Sequence, residues 1–349
     1  MQYDRFVRVA VFGGMAIAFT ACDSSSSPLA STQASNVQNV PAAAVRANQI
    51  LYVGNMGGRS ENITLYSTNS KNTLLRSIPT TRGGLTLAAG ADGSLYVSAD
   101  SSKSIQVFNK QGTKLIRTIG RGIRDPRMLA FDAAGTLYDQ DIKYVAEFPN
   151  GRDQKMRKVF PQNKMRTNSM AVAPDGTMFL ATGADVERFA PGAKTPSQII
   201  TNGLDFPWSV ALDSTGNLYV SNRLGGSQYC GDVQVYAPNA STPSYEIPPT
   251  DTACDWFQML QGPDGNMYSI TDGYRNGGGV LVYGPGQTSP LRTITAGLED
   301  PEQMAFDASG NLYVENEIIG IAIYGPGQTS ELRKITNGID YPMGLAVSQ

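Results

Sequence analysis

The chain contains no histidine. Histidine is the commonest general base near neutral pH and the commonest transition-metal ligand. Its absence excludes a Ser-His-Asp triad and argues against a catalytic zinc centre. Carboxylate, amide, Tyr, Lys and Arg chemistry is what remains. Charge of either sign is not concentrated: the formal net charge is −2 over 349 residues, with Lys and Arg scattered. That leaves nothing to draw the chain to nucleic acid or to an anionic membrane surface. The mainly apolar stretch from Val9 to Ala21 is thirteen residues long, too short to cross a bilayer. Cysteine is limited to Cys22, Cys230 and Cys254.

Repetition is what the chain has. One aromatic series is Tyr52, Tyr96, Tyr138, Phe179, Tyr219, Tyr268 and Tyr313, in steps of 44, 42, 41, 40, 49 and 45 residues. A second is Tyr66, Phe108, Phe148, Phe189, Tyr236, Tyr283 and Tyr324. A self-similar period in the forties, built from short apolar runs and turn residues, predicts a β-propeller with four strands per blade. The fold class is therefore all-β, a seven-bladed β-propeller of four-stranded antiparallel blades. At about 40–45 residues per blade, one ring accounts for the length better than two domains. The repeated aromatics read as wedges between blades, and apolar runs such as Ile50-Leu51-Tyr52-Val53 suit strands covered on both faces.

The clearest blade runs from Phe206 to Ile247. Ser209 to Leu212 is its innermost strand, Leu218 to Val220 the second, Asp232 to Tyr236 the third, and the fourth begins at Tyr245. Between the first two lies Asp213-Ser214-Thr215-Gly216, repeated as Asp307-Ala308-Ser309-Gly310 and Asp132-Ala133-Ala134-Gly135. Asp first and Gly fourth is the type I turn pattern, in which the carboxylate bonds its own backbone two residues on. These aspartates read as scaffold groups. The first strand, Ile50 to Val53, lacks a preceding inner strand, and the last, Gly344 to Val347, lacks followers. The C-terminal strand is expected to complete blade 1 and close the ring, removing two unpaired edges.

Residues 1–22 read as an export signal: Arg5 and Arg8 precede the apolar stretch, which ends in Phe19-Thr20-Ala21-Cys22. This resembles the lipobox of bacterial lipoproteins, with Phe19 in place of the usual Leu. The resemblance implies acylation of Cys22 and membrane attachment by a lipid anchor only, in the periplasm or at the cell surface. The alternative is an ordinary secretory signal with an incidental cysteine. Residues 23–48, rich in Ser, Ala, Gln and Asn, read as a flexible linker with a span of about 28 Å. The propeller occupies 49–349.

The repeat Pro-x-x-φ-Ala-φ-Asp-x-x-Gly-Asn-Leu-Tyr-Val, with φ apolar, is legible at Pro207 to Val220 and Pro301 to Val314. It resembles the NHL repeat and the broader gluconolactonase-like propeller group, whose folds host enzymes, receptors and scaffolds alike. Gluconolactonase-type relatives hold a divalent cation with Glu, Asn and Asp in the channel, partly through an Asn after the blade proline. Here the residues after the matching prolines are Arg127, Trp208, Glu302 and Met343. The next inner-strand positions are Thr86, Met128, Ser169, Ser209, Gln258, Gln303 and Gly344. That rim is polar but carries no carboxylate. The amidating-lyase and streptogramin-lyase propellers rely on histidine, which is lacking.

Loop lengths point to a working surface. The aromatic-to-aromatic distance within a blade runs 14, 12, 10, 10, 17, 15 and 11, whereas between blades it stays at 30 to 32. The insertions lie between strands two and three and are longest in neighbouring blades 5 and 6. Candidate surface residues there are Asn222, Arg223, Tyr229, Asp232, Asp255, Trp256, Asp272, Tyr274, Arg275 and Asn276. Tyr, Trp and Arg are enriched in interface anchors, although surface loops also vary for no functional reason, and Trp256 stands where other blades have proline. Cys230 and Cys254 fall on the same face and are expected to form a disulfide in an oxidising compartment, contributing roughly 3 kcal/mol. The primary expectation is a monomeric, non-catalytic binding or scaffold module without a cofactor, recognising a protein or glycan of the cell envelope. The runner-up is a divalent-cation-dependent hydrolase or lactonase with Asn222, Asp272 and Asn316 as oxygen ligands. A glycan-binding propeller is the third reading.

Overall fold

A computed structural model describes residues 49–57, 61–80, 85–99, 103–152, 156–223, 231–249, 255–272, 278–316 and 319–348. They form seven four-stranded antiparallel sheets, six of them each built from four consecutive strands and the seventh from the last strand and the first three. Among the described residues the only helix is the short 3-10 turn Pro149–Gly151, and no helix is long and apolar enough to cross a membrane.

Blade 1 is assembled from both ends of the ring. Its strands, from the inside out, are Pro342–Val347, Ile50–Asn55, Asn62–Ser67 and Leu74–Pro79. The closing pair matches Leu51 with Val347, Tyr52 with Ala346 and Val53 with Leu345. Polar contacts secure it. Ser348 accepts the Ile50 amide on its hydroxyl at 2.9 Å, its own amide donates to the Ile50 carbonyl at 2.8 Å, and the Gln49 side-chain amide donates to the Ser348 carbonyl at 2.7 Å. The expected closure is thus the observed one. Blade 5, taken as the sequence template, has strands Pro207–Leu212, Leu218–Asn222, Val233–Tyr236 and Tyr245–Ile247.

None of the fourteen repeated aromatics is more than 8% exposed. They fill seven apolar clusters, one at each seam between neighbouring blades. Burying an aromatic this large contributes on the order of 1.5–3 kcal/mol, so the repeat is a packing device. The tyrosine hydroxyls reach partners at the edges of the seams. Tyr138, Tyr268 and Tyr313 donate to the turn carboxylates of Asp132, Asp264 and Asp307 at 3.1, 2.9 and 3.1 Å. Third-strand Tyr66, Tyr236 and Tyr324 donate to the carbonyls of Asn337, Asn202 and Ala296, each at 2.6 Å. The same aspartates cap their own turns. Asp213 Oδ1 accepts from the Thr215 and Asn217 amides at 2.9 Å, and Asp307 Oδ1 accepts from those of Ser309 and Asn311 at 2.8 and 2.9 Å.

Candidate functional site on the looped face

Each inter-blade connection arrives on the face that also carries the loop between strands two and three. A residue at the end of the second strand clamps that connection in four blades. Asn222 Oδ1 accepts the Asp205 amide at 3.0 Å, and its side-chain NH2 donates to the Gly203 carbonyl at 2.9 Å. Asn316 does the same with the Glu299 amide and the Gly297 carbonyl, both at 3.1 Å. Asn55 accepts from the Asp340 amide at 3.0 Å and Asp141 from the Asp125 amide at 3.1 Å. Asn222 is only 4% exposed. Its place among the surface residues is therefore corrected: it belongs to the scaffold under the loop, because the strand ladder runs through it.

Asp232 is half-buried at the base of the blade 5 loop and accepts on both oxygens, from the side-chain amides of Asn222 at 2.6 Å and Gln234 at 2.8 Å. Burial pushes its carboxyl above the usual carboxylate range, and these hydrogen bonds partly offset that. Beside it, Gly231 packs against the Asn222 carbonyl so closely that any Cβ would collide with backbone.

Arg223 leads into the loop. Its amide donates to the Phe206 carbonyl at 3.1 Å, and its guanidinium lies over the Trp208 ring, 4.8 Å from the centroid. The Phe206 and Trp208 rings are stacked, 6.3 Å apart and 20° from parallel. Phe206 is 42% exposed. A Cβ at Gly183 would lie 2.9 Å from the Met165 side chain and 3.5 Å from the Phe206 ring, which places exposed Met165 nearby. The result is a partly exposed patch of two aromatics and a guanidinium, with the exposed Phe206 at its edge, where the innermost strand of blade 5 meets the looped face.

Phe206 has φ of +55°. That left-handed conformation is uncommon for a bulky residue, and the residue before proline normally prefers extended backbone. Such strain costs about 1–3 kcal/mol. It recurs once at the equivalent place: Tyr341, also before proline, has φ of +54° and is 44% exposed. Phe206 did not stand out as a site residue in the sequence. The signal available there was the recurrence of Thr-Asn-Gly-φ-Asp-aromatic-Pro at 201–207 and 336–342.

The remaining expected site residues are placed only in part. Asp255 and Trp256 lie in the innermost strand of blade 6, Asp255–Gln261, and Asp272 ends its second strand, Met267–Asp272. Trp256 pairs with Thr271 as Pro207 pairs with Asn222, so it does take the proline position. Cys22, Tyr229, Cys230, Cys254, Tyr274, Arg275 and Asn276 lie outside the described residues.

Among the described residues, the inner-strand donors do not fit a channel cation of the gluconolactonase type. Four of the polar inner-strand residues are spent on joining blades. Ser169 Oγ accepts the Val210 amide at 3.2 Å, Gln258 Oε1 the Met304 amide at 2.6 Å and Gln303 Oε1 the Leu345 amide at 3.1 Å, while the Thr86 hydroxyl donates to the Arg127 carbonyl at 3.0 Å. Among the described residues no three His, Cys, Asp or Glu side chains converge as metal ligands would. Asn222 and Asn316 hold backbone.

Solved structures share the architecture. Hydrazine synthase from Kuenenia stuttgartiensis is 16% identical with a TM-score of 0.56, covering 69% of this chain and 76% of that one. The WD40 β-propeller domain of Doa1 is 12% identical with a TM-score of 0.61, covering 77% and 86%. The dihydro-heme d1 dehydrogenase NirN, in complex with DHE, is 12% identical with a TM-score of 0.58, covering 86% and 75%. The chain is a β-propeller. At these identities the likeness shows the fold alone, and the neighbours include enzymes as well as a WD40 domain. No family model and no curated protein sequence matches.

Proposed function

We propose that this chain is an exported, lipid-anchored propeller of NHL-like type that acts as a non-catalytic recognition module through the looped face of blades 5 and 6. The observation that carries the reading is the partly exposed Phe206–Trp208–Arg223 cluster, whose exposed member Phe206 is kept in a costly backbone conformation. Strain of this kind persists where surrounding structure enforces it, and it gathers at ligand clamps and switch regions. The rings and guanidinium are the side chains that dominate binding hot spots. The absence of histidine from the sequence and the use of four polar inner-strand residues as inter-blade ties support a contact role over chemistry.

The partner is a protein or a glycan of the cell envelope; ring faces beside a guanidinium suit either. The export signal with acylation at Cys22, and the disulfide between Cys230 and Cys254, belong to this proposal on the sequence reading alone. Mass spectrometry of the mature protein checks both, through an acylated N-terminal cysteine and the absence of free thiols at the other two.

The test of the recognition reading compares immobilised wild-type protein with a Trp208→Ala/Arg223→Ala double variant. A Leu75→Asp variant on the outer edge of blade 1 serves as control. Each is presented with detergent-solubilised envelope proteins and with a glycan array. A partner retained by wild type and the control but lost by the double variant supports the proposal. Equal retention by all three contradicts it. Melting with calcium or with EDTA addresses the cation-dependent alternative: an ion bound only to the folded state would raise Tm with concentration, and the account expects no shift.

A further inference from the structure

The position after the repeated second-strand aromatic is Val53, Val97, Leu180, Val220, Ser269 or Val314 in six blades and Asp139 in blade 3. Strand register makes these equivalent. Asp139 lies between Leu129 and Ala146, as Val220 lies between Val210 and Gln234. Asp139 is 0% exposed, and neither carboxyl oxygen has a hydrogen-bond partner. Its strand neighbours Leu129, Leu137 and Ala146 pack against Ala88, Tyr96, Ile105 and Val107 of blade 2, so it faces the seam between blades 2 and 3. From the blade 2 side, Ser98 is likewise fully buried with no partner for its hydroxyl.

A buried polar group without a partner costs free energy, and a buried charge costs far more. Aliphatic residues at five of the six matching positions, and a serine at the other, show that packing does not require a carboxyl here. Several ionisable groups surround the seam. Asp141 lies on the same strand, Asp125 and Arg124 in the connection, and Arg127 on the innermost strand, 3.2 Å from Asp125. Tyr144 precedes the third strand and donates to the Gly122 carbonyl at 2.6 Å. Lys158 on the outermost strand rests over the Tyr144 ring, 3.8 Å from its centroid. Blade 2 contributes Tyr96 and Arg117, hydrogen-bonded to each other at 2.6 Å. Burial first, then Asp141 and Asp125, hold the Asp139 carboxyl well above the usual carboxylate range, with Lys158 opposing.

We propose that Asp139 makes the seam between blades 2 and 3 a protonation-dependent joint, closed while the carboxyl is neutral and weakened when it ionises. The sign follows from linkage. The unfolded chain gives up this proton at a lower pH than the folded one does. Stability is therefore full below the ordinary carboxylate range and declines as pH rises through the folded value.

The test uses the full chain with Asp139→Asn, which is neutral at every pH, and Asp139→Val, the residue of four other blades. Melting is followed over roughly pH 4 to 9, which spans the ordinary carboxylate value and the raised one. The proposal expects wild type to lose Tm relative to Asp139→Asn progressively as pH rises, and Asp139→Val to exceed wild type by a margin that widens in the same direction. Hydrogen exchange, corrected for its intrinsic pH dependence, should report faster opening at high pH in Leu95–Ala99 and Leu137–Asp141 than in Leu218–Asn222, and this difference should vanish in Asp139→Asn. Parallel Tm profiles for wild type and Asp139→Asn, or opening that is no faster at the blade 2–blade 3 seam than in blade 5, would overturn it.

Discussion

Asn316 and Asp307 illustrate how single side chains in this molecule serve the backbone. Asn316 is fully buried and holds the connection entering its own blade by two hydrogen bonds, at 3.1 Å each. Replacing it with alanine leaves the Glu299 amide and the Gly297 carbonyl without that partner, a cost of about 1–3 kcal/mol. Chemical denaturation of Asn316→Ala should show a lowered midpoint, and an unchanged midpoint would remove the clamp from the account. The turn aspartates were legible as scaffold groups because the Asp-x-x-Gly pattern recurs with a fixed offset. The clamp at Asn222 was not. Its position at the mouth of a long loop suggested exposure, and only the ladder register reveals that its side chain turns inward. Asp139 was visible too, since blade 3 reads Leu-Tyr-Asp-Gln-Asp where blades 5 and 7 read Leu-Tyr-Val. Its importance rests on burial, which a single substituted position in a repeat does not disclose.

Among the elements, the connection into blade 5 links strain to recognition. Phe206 sits at positive φ despite Pro207 after it, with the Arg223 amide donating to its carbonyl. Glycine adopts that conformation freely, and Phe206 is 42% exposed. Phe206→Gly is therefore expected to melt at or above the wild-type temperature while losing partner retention. A clear fall in Tm would mean that the ring serves packing. Gly231→Ala acts on the same loop from its other end. Its added methyl meets the Asn222 backbone, so a drop in Tm and loss of partner retention are expected together, read by calorimetry and the capture assay. Strand order and loop-length variation in this region were legible because aromatic spacing separates long from short hairpins. The stack of Phe206 on Trp208 was not, since it depends on a left-handed residue before proline, where extended backbone is the norm.

For the whole molecule, closure makes the ring one cooperative body. The strand Pro342–Val347 contributes the innermost layer of blade 1, and the Tyr52 and Tyr66 rings are fully buried against the neighbouring blades. Deleting residues 340–349 should open the ring, expose two sheet edges and cause aggregation, seen as a broadened melt and high-mass species on size-exclusion chromatography. A monomeric truncation with an unaltered melt would refute closure. Seven aromatic pairs and two incomplete terminal strands made this architecture readable without coordinates, because a toroid imposes the same packing demand seven times. The working surface is unrepeated, and so carries no such signal.

The central claim, a contact surface centred on blade 5, is tested most directly by site-specific photo-cross-linking. A benzophenone amino acid is placed at Phe206 and, as control, at Leu75 on the exposed outer strand of blade 1. Irradiation in cell-envelope preparations should give a discrete adduct from position 206 that disappears when Arg223→Ala is added, with none from position 75. No adduct at 206, or the same adduct from both positions, would contradict the account.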